Sequence, residues 1–301
     1  MIKFPESLKP GDKIALTCPA GYMPLEKMQK CIKILKEWGY NVRLGNTIGT
    51  QYNYFSANDN DRLSDLQTLI DDPLVKAILC ARGGYGTGRI VDRINFKTFR
   101  KHSKWIIGFS DITILHSHLF SKYKISSLHA PMAGAFNDSP NEYLDSLKNA
   151  LSGLPGNYIC PPHNYDQKGN GKGRLIGGNL SLMCHLIGTA SDINTNGKIL
   201  FLEDVGEYIY NIDRMMYQLK RAHKFEGLAG LIIGGFTEIK DTLIPFRQSA
   251  QEVIKEIVKN YNFPVAFNFP VSHSVENYAL KIGAKYQLGV GDEFVSLLEI
   301  R

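Results

Sequence analysis

The sequence predicts an α/β protein with two domains, and three features support this prediction. The first half of the chain alternates short apolar runs with segments of helical periodicity, which favours a mainly parallel sheet covered by helices on both faces. A stretch rich in glycine and proline at 153–173 interrupts this pattern and is typical of an interdomain connection. Strand and helix patterns then resume as a second, mixed α/β unit. We therefore predict domains at 1–153 and 174–301, joined by a linker at 154–173.

Hydrophobic periodicity predicts the elements of the first domain. Its strands are short apolar runs, and its helices carry apolar side chains three and four positions apart, such as Leu63, Leu66 and Ile70. The predicted elements are strands at 13–18, 41–44, 75–80 and 105–109, and helices at 24–38 and 61–70.

The second domain shows a similar alternation. Its predicted elements are strands at 199–202, 228–233, 265–269 and 294–300, and helices at 180–187, 209–223 and 248–258. Because open α/β sheets bind ligands beyond the carboxyl ends of their strands, functional side chains are expected at those ends.

Composition and charge limit the class of function. The chain has 301 residues, of which 44% are hydrophobic and 21% charged, as in globular proteins with a buried core. The net charge of +6 is spread along amphipathic segments, so no nucleic-acid partner is predicted. The five cysteines are scattered without C-x-x-C spacing, so neither a metal site nor a disulfide framework is predicted. No apolar run is long enough for a signal peptide or a membrane span, which predicts a cytoplasmic protein without membrane association.

The first strand end of interest is a glycine turn, ARGGYGTG (81–88), which follows the strand at 75–80. Glycines let the backbone turn sharply and present bare N–H groups to an anion. The spacing is not that of a dinucleotide-binding or P-loop motif, so no cofactor is predicted. Two interpretations remain: a structural turn, or an oxyanion-binding turn in which Gly83 or Gly84 supplies a backbone donor.

The second strand end carries Ser110, between the strand at 105–109 and a helical pattern. Ser110 could simply cap that helix. Alternatively, a strand–serine–helix junction exposes the hydroxyl at the tip of the sheet and points the next backbone N–H, that of Asp111, at the same spot. The sequence GFSDI lacks the second glycine of the G-x-S-x-G motif, so the residues alone leave both interpretations open.

The third strand end is acidic, since the strand at 199–202 leads into EDVGE. An acid there could orient a catalytic histidine; we favour Glu203, nearer the strand, over Glu207. Of the eight histidines, His273 follows a predicted strand and precedes an irregular segment, which suits a side chain held in a cleft. His129, His185 and His223 lie in helical or strand contexts where a structural role is expected. A serine, a histidine and a carboxylate form the usual set for nucleophilic catalysis.

Six segments of the chain resemble the LD-carboxypeptidase family of serine peptidases, which also includes enzymes that give self-immunity to a peptide–nucleotide antibiotic. They span almost the entire chain in the family's order. The segments are LKPGDKIALTCPAG (8–21), RLSDLQTLIDDPLVKAILCARGGYGTGRIVDRI (62–94), IIGFSDIT (106–113), GRLIGGNLSLMCHLIGT (173–189), ILFLEDVGEYIYNIDRMM (199–216) and FPVSHSVENYALKIG (269–283).

The resemblance implies a Rossmann-like N-terminal domain that bears the serine and a mixed, barrel-like C-terminal domain that bears the acid and the histidine, usually within a homodimer. It implies a murein tetrapeptide substrate, cut before its terminal D-alanine, and no cofactor. Carried over by motif, the nucleophile is Ser110, the acid Glu203, the base His273, and the oxyanion donors the backbone of Asp111 and of Gly83 or Gly84.

Two positions depart from the family pattern. Ser272 stands where many relatives have glycine, and Ala279-Leu280-Lys281 stands where Leu-Pro is frequent. Both departures lie where substrate specificity could change.

A carboxypeptidase must also hold the free carboxylate of its substrate, and Arg82 is the candidate cation. Two other functions remain open. An immunity-type hydrolase of aminoacyl-nucleotide amides would need an aromatic platform before Arg174, where Tyr158 and Tyr165 occur but no tryptophan. A non-catalytic binding protein for small ligands would use Ser110 only as a helix cap.

Overall fold

The structure is a computed structural model that describes residues 2–300 and contains two β-sheets. Within those residues the strands are, in chain order, β1 (Lys13–Thr17), β2 (Asn41–Leu44), β3 (Val75–Cys80), β4 (Trp105–Gly108), β5 (Ser127–His129), β6 (Asn157–Cys160), β7 (Gly169–Asn179), β8 (Lys198–Val205), β9 (Gly230–Thr237), β10 (Val265–Ala266), β11 (Leu280–Ile282), β12 (Lys285–Val290) and β13 (Val295–Ile300).

The α-helices cover the sheets, and some of them begin at side-chain caps. Asn58 caps one of them with its side chain, and Ser249 and Glu252 form a capping box at another. In the described residues the helices are α1 (Gln29–Glu37), α2 (Asp59–Asp71), α3 (Lys97–Lys101), α4 (Thr113–His118), α5 (Asn141–Leu151), α6 (Leu180–His185), α7 (Ile209–Arg221) and α8 (Ala250–Val258). Single turns of 3₁₀ or π-helix occur at Leu25–Met28, Thr87–Arg89, Val91–Arg93, Ser110–Ile112, Leu119–Tyr123 and Ala133–Asn137.

The first sheet has the strand order β2-β1-β3-β4-β5-β11. Strands β1 to β5 are parallel, and β11, contributed by the C-terminal part of the chain, pairs antiparallel with β5. The residues of β4 are all buried, as expected for a parallel strand covered on both faces. The predicted N-terminal domain with a mainly parallel sheet is confirmed.

The second sheet has the order β10-β9-β8-β7-β12-β13-β6. Strands β7 to β10 are parallel, whereas β12, β13 and β6 add antiparallel pairs. It packs on helices such as α7 and α8 over one continuous apolar core. The predicted mixed C-terminal domain is confirmed, and its sheet runs from β10 at one edge to β6 at the other.

The glycine-rich stretch predicted as an irregular connection contains β6 and the beginning of β7, and here the prediction is wrong. Its glycines allow close packing within the sheet. A Cβ on Gly171 would lie 1.8 Å from the Ala229 carbonyl oxygen, and one on Gly173 would lie 2.8 Å from that of Gly197. A sequence pattern that suggests a loop therefore reflects backbone contact between neighbouring strands.

All five cysteines are buried and free. Between residues 2 and 300, no helix is both long and apolar enough to cross a bilayer.

Candidate active site

Ser110 lies directly beyond the carboxyl end of β4, where the chain turns from strand to helix. Phe109 is extended, and Ser110 adopts the left-handed conformation with φ of 61° before the 3₁₀ turn that leads into α4. A left-handed conformation costs a non-glycine residue about 1–2 kcal/mol. Such strain persists only where the surrounding structure holds it, and it is common at active sites. The serine side chain is half-buried at this turn.

The glycine turn after β3 packs against this serine. A Cβ on Gly83 would lie 2.9 Å from Cβ of Ser110, 3.1 Å from its Oγ and 3.3 Å from the backbone nitrogen of Asp111. The Gly83 backbone, the Ser110 hydroxyl and the Asp111 N–H therefore converge. Gly84 has φ of 96°, and a Cβ there would lie 2.8 Å from the hydroxyl of Tyr54.

The Asp111 side chain fixes the glycine turn to the serine. Its buried Oδ2 accepts a hydrogen bond of 2.8 Å from the backbone N–H of Thr87. Burial raises the pKa of Asp111, although the bonds from Thr87 lower it. The buried guanidinium of Arg62 donates a hydrogen bond of 3.0 Å to the carbonyl of Gly86 and so also stabilises the glycine turn. Neither Thr87 nor Arg62 lies in a local sequence pattern that predicts this role.

Glu203 and His273 come together in the second domain, 70 positions apart in the chain. Nδ1 of His273 donates to Oε2 of Glu203 at 2.5 Å, and the Glu203 side chain is fully buried within β8. Burial lowers the pKa of His273, but the charge of Glu203 and its hydrogen bond outweigh burial and raise the pKa above the ordinary 6.5. Nε2 of His273 is buried without a hydrogen-bond partner among residues 2–300.

The two domains meet at this point. The ring of Phe109, adjacent to Ser110, packs edge-on against the His273 imidazole with centroids 4.9 Å apart. At the end of β7, the backbone N–H of Asn179 donates to Oγ1 of Thr113 at 3.1 Å. A Cβ on Gly178 would lie 2.4 Å from that same Oγ1. The Phe109–His273 contact places the turn that bears Ser110 beside the loop at 267–279 that bears His273, and the contacts of β7 with Thr113 join the same two domains.

The other acids of the EDVGE segment have different partners. Glu207 accepts a hydrogen bond of 3.0 Å from Asn211. Asp204 is held by the Asn179 amide and the backbone N–H of Ser181, and burial raises its pKa to about 6. Of the two glutamates, Glu203 is the one that is hydrogen-bonded to His273.

Arg82, the candidate cation, is exposed beside the glycine turn, and its Nη1 donates to the carbonyl of Tyr22 at 3.0 Å. In the described part of the chain, no group of three or more His, Cys, Asp or Glu side chains is placed to hold a metal ion.

The chain matches family models over both of its domains. Residues 14–130 match the family model of the LD-carboxypeptidase N-terminal domain, and residues 172–288 match that of the LD-carboxypeptidase C-terminal domain. A probable murein peptide carboxypeptidase from Bacillus subtilis (strain 168) is 33% identical over 96% of this chain and 92% of its own length. The murein tetrapeptide carboxypeptidase of Pseudomonas aeruginosa is 29% identical over 90% of this chain and 91% of its own.

Two solved structures share the fold of this chain. The muramoyltetrapeptide carboxypeptidase from Oxalobacter formigenes superposes with a TM-score of 0.87 at 25% identity, covering 96% of this chain and 99% of that one. The microcin C7 self immunity protein MccF, determined in complex with aspartyl sulfamoyl adenosine, also has a TM-score of 0.87, at 21% identity and 98% coverage of both chains, and shares the fold. The protein belongs to the LD-carboxypeptidase family, a family of carboxypeptidase-type hydrolases.

Proposed function

We propose that the protein is a serine LD-carboxypeptidase that removes the terminal D-alanine from murein tetrapeptides. The observation that supports this most strongly is the contact between domains: the hydrogen-bonded Glu203–His273 pair packs, through Phe109, against the strained turn that bears Ser110. A nucleophile, a base with one free nitrogen and an acid that orients the base are the groups that amide hydrolysis requires. The printed names of the relatives in Bacillus and Pseudomonas support the murein peptide as substrate.

In the proposed mechanism, Oγ of Ser110 attacks the carbonyl carbon of the amide that precedes D-alanine. Nε2 of His273 takes the hydroxyl proton, and Glu203 stabilises the resulting imidazolium through Nδ1–H. The tetrahedral intermediate collapses as His273 returns the proton to the leaving amine, so that D-alanine departs and an ester remains on Ser110. Water, deprotonated by His273, then attacks the ester, and Ser110 regains its proton as the shortened peptide leaves.

The oxyanion of both tetrahedral states needs donors that are already in place. We assign this role to the backbone N–H of Asp111 and of Gly83 or Gly84, supported by the convergence of these groups around the serine. A single such donor typically contributes about 3–4 kcal/mol to transition-state stabilisation. Arg82, exposed beside the same turn, is assigned to the substrate's terminal carboxylate.

The environment of the two candidate platform tyrosines argues against an aminoacyl-nucleotide substrate. Tyr158 is buried and its hydroxyl bonds to the carbonyl of Ala279, so its ring offers no open face. Tyr165 packs against Phe267 and lies under the ammonium of Lys255, 4.4 Å from the ring centroid. Neither ring is free to stack on a nucleobase in this conformation.

The function is tested by incubating the protein with synthetic murein tetrapeptides that contain either lysine or diaminopimelate, followed by mass spectrometry. Free D-alanine and the corresponding tripeptide are the expected products. A tetrapeptide that ends in L-alanine is the matched control and should remain intact. Absence of D-alanine release from both substrates, or hydrolysis of an aminoacyl-nucleotide amide instead, would contradict the proposal. The cytoplasmic location and the homodimer remain predictions. Light scattering, which measures the molar mass in solution, tests the homodimer.

Replacement of Gly83 by alanine should lower kcat by about 100-fold, because a displacement of roughly 1 Å at a reacting group has this effect. The new methyl group would lie 2.9 Å from Cβ of Ser110 and would push the nucleophile out of position. Rates of D-alanine release and the melting temperature should be measured together. The control is Gly291→Ala, whose methyl group would meet only the Phe294 carbonyl oxygen at an ordinary 3.4 Å. Unchanged kcat in Gly83→Ala would remove Gly83 from the proposed site.

A further inference from the structure

A buried histidine lies between the two halves of the proposed site. His129 is the last residue of β5, and its Cα is in register with Gly108 of β4 on one side and with Leu280 of β11 on the other. Ser110 lies two positions after the end of β4. Strand β11 follows the loop at 267–279 that carries His273, called the His273 loop. His129 is fully buried at this junction.

The side chain of His129 contacts both halves. Nε2–H donates to Oδ1 of Asn277 at 3.1 Å, and Asn277 lies four positions after His273 in the same loop. The imidazole also packs against Phe109 and Phe201, with centroid distances of 5.9 Å and 4.9 Å. Burial lowers the pKa of His129 well below its ordinary value, so the ring is neutral and carries one N–H.

Two polar atoms of this pair have no partner. Nδ1 of His129 and Nδ2 of Asn277 are buried and make no hydrogen bond within residues 2–300, and both residues are less than 3% exposed. Unpaired buried polar atoms destabilise a fold, and an apolar pair of similar shape would avoid this cost. Stability alone therefore does not account for a histidine and an asparagine here.

Hydrogen bonds within the loop shape the part that surrounds His273. Ser272 bonds to the side chain of Ser274 and to the carbonyl of Glu276, and Tyr278 N–H bonds back to the carbonyl of Pro270. These bonds shape the loop around His273, whereas Tyr278 and Ala279 at its end bond to Glu142 and Ser146 of α5 in the first domain. The bond from His129 to Asn277 links the loop to β5, the neighbour of the strand β4 that leads to Ser110.

We propose that His129 and Asn277 form an interdomain positioning pair that holds the His273 loop at working distance from Ser110. The inference rests on the proposed serine mechanism, and neither residue touches the reacting atoms. A directional hydrogen bond fixes the separation of two elements more tightly than apolar contact does, and nucleophile–base geometry tolerates little error.

The test uses Asn277→Leu, the double variant H129F/N277L and the parent protein. The rate at which a fluorophosphonate labels Ser110 depends on the serine–histidine geometry but not on murein recognition, so it is measured with kcat and KM for D-alanine release. In Asn277→Leu we expect labelling and kcat to fall about 10–100-fold with KM unchanged, together with a lower melting temperature. In H129F/N277L the melting temperature should recover, because no polar atom is left unpaired, while labelling stays slow.

Ser146→Ala is the matched control, because Oγ of Ser146 accepts a hydrogen bond of 2.9 Å from the N–H of Ala279 and thus also links α5 to the end of this loop. It should lower stability without slowing labelling. Parent-like labelling in Asn277→Leu, or recovery of both rate and stability in the double variant, would overturn the positioning pair alone. A parent protein that does not react at Ser110 would overturn the serine mechanism and this inference with it.

Discussion

Replacing Ser110 by alanine is expected to lower kcat for D-alanine release by about 10⁴–10⁶-fold. The change removes the atom that forms the acyl-enzyme, and the oxyanion donors alone leave only a small residual rate. Mass spectrometry of the released D-alanine checks the prediction. In the parent protein, a fluorophosphonate adduct should map to the peptide that contains Ser110. Activity near the parent level would exclude a serine nucleophile at this position.

The same position allows a second comparison, because Ser110 has φ of 61°. Alanine keeps the left-handed strain, whereas glycine adopts this conformation without it. We expect Ser110→Gly to be inactive but about 1 kcal/mol more stable than Ser110→Ala in thermal or denaturant unfolding. Ser117→Ala, seven positions further on in α4, should retain activity and serves as the control. Equal stability of the two Ser110 variants would show that the turn relaxes when the hydroxyl is lost.

Replacing Glu203 by glutamine is expected to lower kcat by about 10³–10⁴-fold. The amide can turn its NH₂ group instead of its oxygen towards Nδ1 of His273, and it has no charge to stabilise the imidazolium. The effect on pH dependence has a definite sign. The base must be neutral to accept the serine proton, so activity falls as the pH drops through the pKa of His273, which Glu203 holds above 6.5. Without the carboxylate, burial of the imidazole dominates and the pKa falls, so the acid limb should move to lower pH.

A pH series of kcat for the parent and the variant measures both effects. Glu207→Gln is the control, since Glu207 bonds to Asn211 rather than to the histidine, and it should keep both the rate and the acid limb of the parent. An acid limb that stays in place or moves to higher pH in Glu203→Gln would contradict the assignment of Glu203. Loss of activity in Glu207→Gln would point to the other acid.

Sequence periodicity was sufficient for strands β2 to β4 of the first sheet. The predicted bounds of β2 and β3, 41–44 and 75–80, coincide with the observed ones, and β4 differs by one residue. Periodicity failed for β7, whose GNGKGRLIGGN has few apolar positions, and β5, β6, β11 and β12 were not predicted either. The identity of a strand such as β7 depends on neighbouring backbones that approach its glycines, which a local pattern does not record.

The sequence by itself determined the alternation of strands and helices, the family resemblance and the candidates Ser110, Glu203 and His273. Only the tertiary structure decided that Glu203 rather than Glu207 bonds to His273, that Ser110 is strained, and that β11 crosses into the first sheet. Local apolar periodicity is set by residues a few positions apart. A hydrogen bond between residues 70 positions apart exists only once two sheets have packed, and its partners are chosen by that packing.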